Sequence, residues 1–183
     1  LITLKVYREC GPANTQQTDF DDIIYLGVFN SSTNQLQQVH DVFLNAGTIQ
    51  NVPVIMTNPC GSPPPGLCVE EATYTKTLTL GTNGGYDIAW QRCCRNPSIS
   101  NLANAGGTDN PGMTTTVHIP FNFEMNGSNS SPVFQEFPPV ALCANFGFFF
   151  DHAAIDPDGD ELVYSFCAPF DGGGANGGGA GPD

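Results

Sequence analysis

Apolar and polar residues alternate along most of this chain, and the alternation has a period of two. Ile2, Leu4 and Val6 interleave with Thr3, Lys5 and Tyr7, the pattern of a strand with one buried face. Residues 23–29 read as a second strand, stopped by Asn30, Ser31, Ser32, Thr33 and Asn34. Shorter candidates cover 38–44 and 47–55. Over 71–80 the alternation is clean, with Ala72, Tyr74, Lys76 and Leu78 on one side and threonines on the other. A glycine-rich turn at 81–85 leads to 86–90, so these two strands are expected to form a hairpin. Further strands are expected at 113–123, 133–134, 141–144, 146–150 and 162–166.

Composition agrees with that pattern. Twenty-one glycines and fifteen prolines in 183 residues punctuate the chain too often for long helices. Strands recurring about every ten residues between turn signals describe β-sandwiches. The expected fold is all-β: tandem Ig-like or cadherin-like sandwiches stapled by disulfides. The first spans 1–125, a linker spans 126–132, and a second, incomplete unit with a glycine-rich end spans 133–183.

Charge removes several functions. Eighteen acidic residues against five basic ones give a net charge of −13, which repels nucleic acid and anionic membranes. No apolar run is long enough to span a bilayer, so membrane insertion is not expected. The first residue already lies in a strand-like run and the last stretch is a glycine-rich loop, so the natural precursor is expected to extend further.

Seven cysteines show no zinc spacing: Cys60 and Cys68 are eight apart, and Cys93 and Cys94 are adjacent. Disulfides in an oxidising compartment suit them better, with adjacent Cys93 and Cys94 reaching different partners and one thiol left over.

Three stretches carry a family resemblance. Residues 2–10 (ITLKVYREC), 90–102 (WQRCCRNPSISNL), and 129–134 (NSSPVF) with 150–165 (FDHAAIDPDGDELVYS) resemble large secreted Bacteroidota cell-surface proteins. These are the multidomain, gliding-motility or PKD-repeat adhesins exported by type IX secretion. The resemblance implies an extracellular, adhesive or structural module displayed on the bacterial surface. Its partners would be neighbouring copies, as in a fibre or filament, or adjoining domains of the same chain. Resemblance and cysteine arithmetic together suggest Cys60 bound to Cys68 and Cys10 to Cys93 or Cys94. Cys143 would take the other member of that pair, or Cys167.

The sharpest chemical motif is Asp156-Pro157-Asp158-Gly159-Asp160-Glu161. Alternate carboxylates on a tight turn converge on a hard cation such as Ca2+. An EF-hand is excluded, because its sixth and twelfth positions fall on Glu161 and Cys167. A cadherin-like site would add Asn129 and an acid from the preceding domain, with Glu70, Glu71 and Glu124 as donors. The opposing reading is a solvated turn whose aspartates cap their own backbone.

Arg92 and Arg95 suit a carboxylate or sugar fork, or simple neutralisation of nearby acids. His40, His118 and His152 lack a nucleophile in any recognisable setting, and no hydrolase, zincin or phosphate-loop motif is present. An enzyme is therefore not expected. The rival function is a carbohydrate-binding module with Tyr74, Tyr86 or Trp90 as a stacking platform for surface glycans.

Overall fold

The structure is a computed structural model of all 183 residues. It describes residues 1–10, 19–54, 65–82, 84–93, 95, 112–121, 129–143, 145–170 and 172. Among these, all regular structure is β apart from one short 3-10 turn, and no helix is long and apolar enough to cross a membrane.

Contacts divide the chain into two units. The first collects Leu1–Asp22, Phe43–Leu78 and Asn129–Val163; the second collects Ile23–Val42, Thr79–Ser128 and Tyr164–Asp183. One break between the units, at Ser128/Asn129, falls inside the expected linker at 126–132, and each unit takes three separate stretches.

The first unit is built on β1 (Ile2–Glu9), β4 (Gln50–Asn51) and β5 (Val69–Lys76), in the order β1-β5-β4. β1 and β5 are antiparallel, with Leu4 opposite Tyr74 and Val6 opposite Ala72. Those pairs form the apolar face, where Val6, Ala72 and Tyr74 are buried. Burying each large side chain is worth about 1.5–3 kcal/mol. The Tyr74 hydroxyl stays satisfied in that core by donating to the Asp21 carbonyl at 2.7 Å. Beyond β4 the 3-10 turn Ala46–Thr48 takes over the ladder: Thr48 Oγ1 accepts the Thr73 N–H at 3.1 Å. That turn and two-residue β4 replace the strand expected over 47–55.

Within this unit β8 (Val133–Phe134) and β9 (Ala154–Ile155) form a minimal antiparallel pair. The segments 146–150 and 162–166 are not strands, although both are apolar. Phe146, Phe148 and Phe149 are exposed, as are Val163, Tyr164 and Phe166.

The second unit is a four-stranded sheet in the order β3-β2-β6-β7, from β2 (Ile23–Asn30), β3 (Gln35–Phe43), β6 (Tyr86–Arg92) and β7 (Met113–Ile119). Ile24, Leu26 and Val28 bury one face of β2, and Ile88 and Trp90 bury the matching face of β6, with Leu26 opposite Trp90 and Val28 opposite Ile88. Asn30 makes the β2–β3 turn. Its Oδ1 accepts from the N–H groups of Ser32 and Thr33, and Asn34 closes the turn at φ 54°. Gly85 fits a tight space where that turn meets β6. A Cβ there would lie 2.6 Å from Ser31 Oγ and 3.0 Å from the Ile119 carbonyl oxygen.

This topology corrects the hairpin expected from 71–80 and 86–90. β5 pairs with β1 and β4, whereas β6 pairs with β2 and β7, so the two strands belong to different sheets. The connection from Thr77 to Gly85 is nine residues long, more than a tight hairpin needs.

Candidate functional site

Two clusters in the first unit combine charge with ordered geometry. One is the acid turn. Asp156 opens it, and its Oδ1 accepts the backbone N–H groups of Asp158 at 2.8 Å and Asp160 at 3.2 Å. Gly159 adopts φ +83° and donates to the Asp156 carbonyl, which only a residue without Cβ does cheaply. Asp158 Oδ2 accepts the Ser130 N–H, and Asp160 Oδ2 accepts from Asn129 Nδ2 at 3.2 Å. Asn129, Asp156, Asp158 and Asp160 thus lie together in one hydrogen-bonded group.

What these carboxylates do there is cap. Each uses an oxygen on a donor of this chain. Among the described residues no group of three or more His, Cys, Asp or Glu side chains is arranged to hold a metal ion. The expected donors from elsewhere are engaged: Glu70 with Arg8 and Glu71 with Lys5. Glu124 lies outside the described residues. Raising calcium from chelator-free of ion to about 10 mM is expected to leave the melting temperature unchanged. An extracellular-type site with a Kd of about 10⁻⁴ M would instead add about 2.7 kcal/mol at hundredfold excess.

The second cluster was not foreseen. Glu71 sits on the central strand of the β1-β5-β4 sheet, opposite Tyr7 on one neighbour and Gln50 on the other. It is 1% exposed. The Tyr7 hydroxyl donates to its Oε2 at 2.7 Å, and Gln50 Nε2 donates to its Oε1 at 3.2 Å. Lys5 Nζ approaches the same Oε1 at 3.2 Å from the diagonal position on β1. Phe137 lies over this row, its ring edge-on to Tyr7 at 5.6 Å and beneath the Lys5 ammonium at 5.6 Å. Burial opposes the charge on Glu71, but the hydrogen bonds from Tyr7 and Lys5 outweigh it and hold the carboxyl below its ordinary range. Burial also pushes the Tyr7 phenol far up, and its bond to Glu71 adds to that.

Beside this row Arg8 lies opposite Glu70. Its Nε and Nη2 grip Glu70 Oε2 at 2.9 and 2.7 Å, while Nη1 reaches Asp19 at 2.7 Å. The guanidinium also covers the Phe20 ring at 4.7 Å.

No protein-family model, curated protein or solved structure matches this chain. Its own geometry has to carry the functional argument.

Two of the three residues expected as a stacking platform are buried. Tyr74 is 2% and Trp90 6% exposed, so both are core residues, and Tyr86 is only partly exposed. Strand aromatics at alternating positions face inward, which the pattern already implied. In the second unit Arg95 donates from Nε to the Gly112 carbonyl at 2.7 Å and weakly from Nη2 to the Phe170 carbonyl at 3.5 Å. His118 Nδ1 lies 2.7 Å from Asp87 Oδ1, directly across the β6–β7 ladder. His40 bonds Gln38 at 2.8 Å, and in the first unit the His152 ring packs edge-on to Phe150 and Phe134.

The cysteines require a second correction. Cys10 is bonded to Cys68, not to Cys93 or Cys94. The β1–β5 register explains this: Glu9 faces Val69, so the next position outward sets Cys10 against Cys68, with Cα atoms 4.9 Å apart. Cys93 and Cys143 are also disulfide-bonded and Cys167 is free, which removes a Cys143–Cys167 bridge. Cys60 and Cys94 lie outside the described residues.

Proposed function

We propose that this chain is a mechanical and adhesive module of a bacterial surface protein, working outside the cell and not as an enzyme. The observation that carries this reading is the Cys10–Cys68 bridge, which locks the end of an antiparallel ladder covalently. Such bridges persist in oxidising surroundings and stop a pulled strand from unzipping.

Strand order supports an Ig-like sandwich. In the immunoglobulin arrangement one sheet contains neighbours B, E and D, and the other contains C, F and G, extended by C′. Taking β1 as B gives β1-β5-β4 as B-E-D and β3-β2-β6-β7 as C′-C-F-G. Residues 133–183 then begin a second, cadherin-like module, whose first stretch leans on β1 through Phe137. The family resemblance of residues 2–10, 90–102 and 129–165 favours the same extracellular setting.

Stretching single molecules from both ends tests the proposal. Oxidised chain should resist with a distinct rupture event, and reduction should lengthen the extended chain by at least about 200 Å. That length is the 58-residue separation of Cys10 and Cys68 at about 3.5 Å per residue. Featureless extension, like that of an unstructured linker, would remove the mechanical reading.

A further inference from the structure

β3 is an edge strand of the second unit's sheet, and it runs for nine residues, Gln35–Phe43. One side of its backbone is paired with β2, and among the described residues no strand pairs with the other. Edges like this are commonly protected by charge, proline or brevity. β1 carries such protection in Lys5, Arg8 and Glu9, and β4 is only two residues long. At β7 the carbonyl of Gly172 lies where a Cβ on Gly112 would sit, so the chain already crowds the start of that strand. β3 has none of this. Asp41 is its one charged side chain in a protein of net charge −13, and Leu36 and Val39 project into solvent at 50% and 54% exposure.

We propose that the free edge of β3 pairs antiparallel with β3 of a second copy of this chain, about a two-fold axis at Val39. The strand's own order selects that occupant. Val39 is its midpoint, so only pairing centred there overlaps all nine residues. That register sets Val39 against Val39, Leu36 against Val42, Gln38 against His40 and Gln37 against Asp41. No acid meets an acid. The two Asp41 carboxylates end four residues apart along the ribbon, roughly 14 Å at about 3.4 Å per residue, beyond the screening length of about 8 Å at physiological salt. A basic partner strand would find a single carboxylate to bind, whereas a second β3 completes every position. The pairing is isologous and closes at two copies. It stands apart from the mechanical reading, which needs only the folded chain.

The test uses the full chain in a Cys167→Ser background, because Cys167 is free and exposed and would otherwise cross-link by itself. Light scattering at physiological salt should show the 19.4 kDa chain doubling in mass as concentration rises. Val39→Lys places two ammonium groups face to face at the axis and should weaken the dimer at least about 100-fold, with an unchanged circular dichroism spectrum. Val39→Cys provides a check independent of that variant's folding. Directly opposed residues in antiparallel strands lie about 4.5–5.5 Å apart at Cα, within disulfide reach. It should form a covalent dimer at low oxidant, while Val163→Cys, elsewhere and still more exposed at 90%, should not. A chain that stays monomeric, a mass that grows past two copies, or equal cross-linking of both cysteine variants would overturn the proposal.

Discussion

Replacing Cys10 and Cys68 together by alanine is expected to cost about 4 kcal/mol of stability. The bridge closes a segment of 58 residues, and loop-closure entropy for that length gives about 4 kcal/mol at 25 °C. The effect acts on the unfolded chain, which gains freedom once the tie is lost. In the folded state the Cys10 N–H still reaches the residue 68 carbonyl at 2.9 Å, because that bond uses backbone alone. A domain of this size loses roughly 2–4 °C of melting temperature per kcal/mol, so the midpoint should fall by about 10 °C. The double variant is a cleaner probe than reductant, which would also attack the bridges at Cys93 and Cys143. A loss below about 1 kcal/mol would mean that the β1–β5 ladder persists in the unfolded ensemble, contrary to the entropic account.

The same bridge marks how far the sequence could be read. Alternation located β1, β2 and β6 to within a few residues, because each buries one face and the period of two survives in the letters. It also set Ala72 and Tyr74 on a common face, and the structure buries both. Partner choice lay beyond it. An amphipathic strand looks the same whether the next strand pairs with it or joins another sheet, so β5 and β6 were read as a hairpin. Cys60 and Cys68, eight residues apart, looked like a natural bridge for a related reason: short spacing is visible in a sequence, whereas the β1–β5 register that faces Cys10 with Cys68 is not. At 146–150 the failure was of another kind. Five consecutive Phe and Gly positions satisfy strand propensity, yet a strand also needs a neighbouring ladder, and β8 and β9 extend for only two residues each.

Sites divide along the same line. The acid turn was legible because its Asp-Pro-Asp-Gly-Asp run holds its own turn chemistry, and Asn129 precedes a proline that starts the neighbouring stretch. Which role those acids play was left open between cation and cap, and the hydrogen bonds favour the cap. Glu71 was named only as a remote cation donor. Its real setting needs the registers of three strands at once, since Tyr7, Glu71 and Gln50 meet only when β1, β5 and β4 are aligned.

Glu71→Ala is therefore expected to destabilise the fold by about 3 kcal/mol, even though the residue lies outside the apolar core. Removing one partner from a buried charge cluster costs about 3–5 kcal/mol, and the lower end applies because Lys5 is half exposed and water screens its share. The Tyr7 hydroxyl and the Gln50 amide would each lose an acceptor under Phe137. Glu71→Gln keeps the volume and one acceptor oxygen, so it should restore part of the loss. Acid separates charge from packing. The folded Glu71 carboxyl titrates below its unfolded value, so the unfolded chain takes up the proton first and acid favours unfolding. Its contribution is full above the ordinary glutamate value of about 4.3 and disappears as pH falls through the folded value. Tyr7 contributes in the opposite sense: its phenol is raised when folded, so its share is present below about pH 10 and is lost as pH rises further. Urea unfolding of wild type and Glu71→Gln at pH 7 and at pH 3 reads both parts. The gap between them should narrow in acid. A gap of equal size at both pH values would show that Glu71 acts through shape alone, without its charge.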